Sequence, residues 1–325
     1  MRGAGLVRGL AALALAVPCL TAQDPTDPRA LRDPRETSDP RPMVDPREVD
    51  ASGRPLDDPR EPASGTDLIT ELLEVGDHGG IREAMRADPW NLLPYLDGYR
   101  EEWLGMVESG QAATEAGRAR LQESEATGRL LARLADEALD DTRFTAYVER
   151  AYAWTEDERA AFRRAQADYE SGVALIDEAL SLDEALRALG PFERSLATAR
   201  ELGDTWGRTM ALAALARLQA VAGYTGEARA ALEEALEFGY RIRDLDSVWD
   251  ALETRLQLAV EEGDRTVAES ALADQYLLAR EVGDPAVAQT VLEQLEDLIG
   301  MFDDGTIPSG RLGLPPPTLG EAGPP

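Results

Sequence analysis

The sequence predicts an all-α protein: an α-solenoid of stacked antiparallel helix pairs, preceded by a helical N-terminal region and a proline-rich linker. Three observations lead there. A phrase recurs at forty-residue steps, as Ala199-Arg200-Glu201-Leu202-Gly203-Asp204, Gly239-Tyr240-Arg241-Ile242-Arg243-Asp244 and Ala279-Arg280-Glu281-Val282-Gly283-Asp284. Leucines hold the same phase, with Leu212, Leu252 and Leu292 in one register, Leu218, Leu258 and Leu298 in a second, and Leu232 and Leu272 in a third. A fixed period in this range marks a stack of supersecondary units. From Thr66 onward, apolar residues recur at three- and four-residue spacing between Gly and Asp-Pro stops, which is the helical pattern.

Composition narrows the function. The chain has 325 residues, 43% of them apolar, enough to bury a core. Acidic residues outnumber basic ones 62 to 33, a formal charge of −29. That balance disfavours nucleic acid, whose phosphates need cations, and anionic membrane surfaces. There is no lysine, which excludes Schiff-base chemistry and a Walker-type phosphate site. Cys19 is the single cysteine and His78 the single histidine, so neither a disulfide framework nor a multi-histidine metal site is expected.

Taken in order, residues 1–22 read as a secretory signal peptide. Arg2 and Arg8 begin it, Leu10 to Val17 form a short apolar run, and Ala22 precedes a cut at Gln23. A lipoprotein signal acylated at Cys19 is the runner-up, and Pro18 argues against it. No later stretch approaches the roughly 20 apolar residues of a membrane helix. The mature protein is therefore expected to be soluble, in the periplasm or outside the cell. Residues 23–65 form an Asp-Pro-Arg-rich linker, with triplets at Asp27, Asp33, Asp39, Asp45 and Asp58. Each proline fixes its own φ and restrains its predecessor, so the segment is expected to be disordered or extended polyproline II. The six-residue step puts the first four triplets on one side of such a helix, which suits a docking stripe or a plain spacer.

Residues 66–163 are expected to be helical, as degenerate repeats or a bundle. Thr66 or Asp67 caps a run through Leu68, Ile69, Leu72 and Leu73 that stops at Gly76. Asp77-His78-Gly79-Gly80 reads as a turn, and Ile81 to Ala87 as a short helix ended by Asp88-Pro89. Trp90, Leu92, Leu93, Tyr95, Leu96, Tyr99, Trp103 and Leu104 form an aromatic-rich cluster, suited to a core or end cap or to lining a ligand pocket. Residues 108–140, alanine-rich in their first half and with a helical apolar stripe restored at Leu130, Leu131, Leu134, Ala138 and Leu139, suggest a long exposed helix or helix pair. Thr155 to Glu158 reads as a capped helix start. The repeats occupy 164–302, and residues 303–325 form a Pro/Gly-rich tail expected to be disordered.

The repeat region resembles the tetratricopeptide repeat. Leu212, Leu215 and Ala216 stand on a first helix, Gly223 at the turn, Glu227-Ala228 at the opening of the second helix, and Leu232, Ala235 and Leu236 along it. Gly263-Asp264, Ala268 and Leu272 repeat the frame, and Ala188, Phe192, Ser195 and Leu196 fit the preceding second helix. The period of forty exceeds the family's 34, so longer second helices are expected. Arg255 and Gln219 stand where apolar residues are usual, and the family's inter-helix aromatic is missing. The resemblance implies a concave groove lined by first helices. It places Glu170, Asp177, Met210, Ala213, Arg217, Asp250, Glu253, Gln257, Glu293 and Asp297 along that groove, an acidic surface with one arginine.

No nucleophile, phosphate-loop or metal motif is present. The pairs Glu170/Asp177 and Glu293/Asp297 share helix faces. Such spacing serves a glycosidase or a cation site, and with 62 carboxylates it also arises on any solvated face. The expectation is a non-enzymatic scaffold without cofactor or metal, monomeric or weakly homo-oligomeric, that binds a protein or peptide through a basic or polar segment. A structural, self-assembling envelope component is the alternative, and a carboxylate-based enzyme a remote one.

Overall fold

The computed structural model describes residues 65–303, and every regular element among them is helical. The leader, the Asp-Pro-Arg triplets and the tail after Asp303 lie outside the described residues.

The first helices are short. α1 spans Gly65–Glu74, so Thr66 and Asp67 fall within the helix. α2 (His78–Ala87) begins inside the expected turn: Gly79 and Gly80 form its first turn. Asp77 is the cap, and its Oδ1 accepts from their backbone N–H groups at 3.1 and 3.0 Å. A 3-10 turn at Pro89–Asn91 leads into α3 (Leu92–Glu108). α4 (Glu115–Leu139) is one long helix whose C-terminal half is buried, not exposed, because Leu131, Leu134 and Ala135 face the core. α5 (Arg143–Tyr152) has no cap from its own Thr142. Asp136 of α4 serves instead, accepting from the N–H groups of Phe144 and Thr145 at 2.9 Å each. These would otherwise be orphan donors of a helix start.

α6 (Glu156–Asp177) opens with the expected capping box between Thr155 and Glu158, and it runs unbroken through position 164. α7 (Leu182–Ala185) and a 3-10 turn at Leu186–Ala188 lead into α8 (Leu189–Leu202). Four helices of nearly equal length follow: α9 (Thr205–Val221), α10 (Thr225–Ile242), α11 (Leu245–Glu262) and α12 (Arg265–Val282). α13 (Pro285–Asp303) closes the series. The expected lengthening of α10 and α12 alone does not occur, since α9 and α11 are about as long.

The forty-residue phrase is half of a finer regularity. Gly203, Gly223, Arg243, Gly263 and Gly283 stand twenty residues apart, and all have positive φ, between 57° and 84°. At each one the next N–H bonds back five residues: Asp204 to Ala199, Tyr224 to Gln219, Asp244 to Gly239, Asp264 to Ala259 and Asp284 to Ala279, at 2.8–3.0 Å. This is the Schellman closure, which satisfies the last carbonyls and reverses the chain. Each helix is thus one unit of the rhythm, and a pair of helices gives the forty.

Packing follows chain order. α6 lies on α8, α8 on α9, and each later helix on the one before it. α9 also lies directly against α11, and α6 touches α9, while α10 and α12 show no comparable approach. The small residues Ala216, Ala228, Ala235, Ala251 and Ala268 are fully buried at these approaches. Leu212, Leu252, Leu218, Leu258, Leu298, Leu232 and Leu272 are buried, and Leu292 half-buried. Each large apolar side chain taken out of water contributes about 1.5–3 kcal/mol, so these layers supply most of the stability.

The N-terminal helices share one compact unit with the later ones. Trp90 is buried in the core of Trp249, Leu245 and Leu252, edge-on to Tyr240 at 6.1 Å. Leu202 and Ile242, the ends of α8 and α10, belong to the core of α1–α5. Most of the aromatic-rich cluster is therefore core; Tyr95 and Tyr99 stay half-buried.

Candidate functional site

The inferred groove positions fall on four helices. On α9, Met210 and Arg217 are half-buried, but Ala213 between them is only 5% exposed. Ala213 belongs to the core with Ala251 and Leu258 and offers no surface to a ligand. The repeat frame misplaces it because a small residue is required where α9 meets α11. On α11, Asp250, Glu253 and Gln257 form one half-buried stripe, extended by Asp246 and Glu261. Gln257 donates to Glu261 at 3.0 Å. Glu170 and Asp177 on α6 are exposed, as are Glu293 and Asp297 on α13. Since α13 has no packing on α11 comparable to that of α9, the structure does not gather its pair with Asp250 and Glu253.

Electrostatics tie α6 to α11 across α9. Burial first, then the charges of Asp250, Asp244 and Asp246, push the Tyr169 phenol of α6 well above its ordinary value. Asp246 is exposed, yet desolvation raises its pKa, the mark of a side chain in a recess. Asp244 is 6% exposed, and burial pushes it up to about 7 against a lowering bond from Ser247. Its Oδ1 accepts from the Ser247 N–H at 3.4 Å, capping α11, and its Oδ2 has no hydrogen-bond partner.

A second charged constellation lies where the N-terminal helices grip α8 and α9. Arg100 of α3 is 3% exposed. Its guanidinium stands 2.5 Å from Asp97 and 3.5 Å from both Glu101 and Asp204. It lies over the rings of Phe162, Tyr147 and Trp154, at 4.5, 5.3 and 6.0 Å. Tyr147 donates to Asp97 at 2.8 Å. Burial raises Asp97 to about 6 although Arg100 lowers it, and burial raises Asp204 as well. A desolvated cation between carboxylates holds well only when every partner is in place. The geometry therefore ties α3, α5 and the α8–α9 junction together in one structural knot.

Sequence reasoning missed Tyr169 and Asp246 beside the inferred groove positions, and it missed Asp244 and Arg100 as structural charges. Asp204 and Asp244 were visible in the repeated phrase, whose aspartates close it. Arg100 left no such signal. His78 stands in the first turn of α2, and among the described residues no three His, Cys, Asp or Glu side chains are placed to hold a metal. No described helix is long and apolar enough to cross a membrane. No family description, curated protein or solved structure matches this chain.

Proposed function

We propose that this chain is a non-enzymatic protein-binding scaffold of the cell envelope, built as a short tetratricopeptide-like solenoid and exported by its leader. Its inner face is formed by α6, α9 and α11, and it receives an extended basic or polar segment of a partner protein. The observation that carries this reading is the direct approach of α9 to α11 and α6, with no comparable approach of the outer helices. First helices closer together than second helices curve a stack inward. The inner stripe then presents Asp246, Asp250, Glu253 and Glu261 with Tyr169 beside them. Carboxylates in a partly desolvated recess attract a cationic side chain more strongly than carboxylates in open water, and the net charge of −29 steers such a partner in.

The test is isothermal titration of the full chain with extended arginine-containing and glutamate-containing peptides. The arginine peptide should bind, and the double change Asp250→Arg with Glu253→Arg should weaken it by about tenfold or more. Equal binding of both peptides, or indifference to the double change, would remove the groove from the account.

A further inference from the structure

The outer face of α3 carries a second candidate surface, remote in character from the acidic inner stripe. Asn91, Pro94, Tyr95, Gly98, Tyr99 and Glu102 line an open recess of about 430 Å³. Their spacing of three and four places them along one face of the helix. The helix buries the opposite face, through Leu92, Leu93, Leu96, Arg100, Trp103 and Leu104. The Tyr95 and Tyr99 rings stand edge to face, with centroids 5.6 Å apart at 79°. Their hydroxyls are 3.5 Å apart, and that of Tyr95 is 3.2 Å from Thr70 Oγ1. Burial, followed by its hydrogen bond with Tyr95, drives the Tyr99 phenol far up. On the same helix face, a Cβ added at Gly98 would meet nothing within 4 Å. A helix interior favours alanine over glycine, so the local helix gives no reason for this gap.

We propose that this recess docks an extended, proline-containing peptide segment with an arginine three residues after the proline. Polyproline II leaves its own carbonyls without internal partners, and the tyrosine pair, whose mutual bond uses one of its two protons, offers a phenol donor to one of them. Proline rings pack on aromatic faces, the recurring mode for such segments. Glu102, exposed at one end of the trough, supplies the charge that selects arginine. From Tyr95 to Glu102 the helix rises about 10 Å. One turn of polyproline II covers about 9 Å, so a proline over the tyrosine pair places the side chain three residues on beside Glu102. The wider stripe from Asn91 to Glu102 spans about 16 Å, room for about five such residues.

Fluorescence anisotropy of a labelled peptide with two Pro-x-x-Arg steps, titrated with the full chain, tests this. Gly98→Leu is the informative variant: it fills the trough, alters no charge and leaves the buried face of α3 alone. Saturable binding weakened about tenfold or more by Gly98→Leu, severalfold by Glu102→Gln, and unaffected by Asp250→Arg would support the assignment. Its helical circular dichroism should match that of the parent. Binding that survives Gly98→Leu, that is lost in Asp250→Arg instead, or that is equal for a Pro-x-x-Glu peptide would overturn it. So would the absence of saturable binding. Loss in Asp250→Arg alone would still leave the inner-face reading standing, so the two surfaces are judged separately.

Discussion

Asp244 should make the folded protein less stable as the pH rises, against the usual direction for a carboxylate. Its ordinary value of 3.8 is pushed up to about 7 by burial. Between those values the folded chain holds a proton that the unfolded chain has released. Stability from this group is full below 3.8 and lost as the pH rises through 7. The difference of about three pH units corresponds to about 4 kcal/mol, at about 1.4 kcal/mol per unit. Asp244→Asn removes the charge and keeps an oxygen for the Ser247 N–H. The new amide leaves one orphan donor, at about 1–2 kcal/mol, but protonated Asp244 leaves a comparable orphan hydroxyl.

The comparison is therefore cleanest as a change between two pH values. Urea unfolding followed at 222 nm, at about pH 5 and about pH 8, gives the free energy of parent and variant. The stability advantage of Asp244→Asn should grow by about 3 kcal/mol from the lower to the higher pH. Taking the difference cancels the other carboxylates, which titrate alike in both proteins. An advantage that stays constant, or that shrinks toward pH 8, would refute the assignment of a buried, unpaired carboxylate at the start of α11.

Three other substitutions probe separate parts of the argument. Arg100→Met leaves Asp97 and Asp204 buried without their cation and should cost about 3–5 kcal/mol in urea unfolding near neutral pH. Adding Asp97→Asn and Asp204→Asn should restore part of that loss. Gly172→Ala would set a Cβ 2.6 Å from the Phe192 ring, and the midpoint of thermal unfolding should fall in line with about 1–3 kcal/mol of overpacking. Asp136→Ala strips two backbone donors at the start of α5 of their acceptor; a loss of about 2 kcal/mol is expected, read by chemical denaturation, with Asp136→Asn losing less.

The parts legible in the sequence are those set by local rules repeated in register. The leucine layers are one such part, since a helix face facing a neighbour needs an apolar residue at a fixed phase, and a period exposes it. The Thr155–Glu158 capping box is another, because both partners sit within four residues. The twenty-residue step stayed hidden for a chemical reason. Arg243 takes the left-handed conformation where its counterparts are glycine, and Tyr224 stands where the others have aspartate. The conformation repeats although the letters do not. What the sequence could not disclose comes from contacts across long separations. Asp136 reads as a helix-interior acid, and only the fold brings it under the N–H groups of Phe144 and Thr145. Arg100 reads as a solvated arginine, and becomes buried because Asp204, more than a hundred positions later, closes over it. Ala213 fits the groove frame in phase but lies too close to the next helix to face solvent.

The N-terminal region grips two of the later junctions, those that end at Asp204 and Asp244. At the first, Arg150 and Trp154 donate to the Leu202 carbonyl at 2.9 and 3.5 Å, and Arg100 meets Asp204. At the second, Trp90 lies against Tyr240, Arg243 covers Trp90 at 5.1 Å, and Arg143 donates to the Arg241 carbonyl at 2.9 Å. A clamp on these two junctions restrains the angle between the pairs that carry α9 and α11; under the proposed function, the stripe on α11 would then be shaped before a partner arrives and would lose less entropy on binding. Beyond the clamp, α13 packs on α12 alone among the strongly packed pairs, and local opening should begin there. Native-state hydrogen exchange should therefore show backbone amides of α13 exchanging faster than those of α9 and α11, and Arg100→Met should raise exchange in α9 before it does so in α13. Equal protection along the whole array, or a response to Arg100→Met that starts in α13, would mean that the junctions do not set its rigidity.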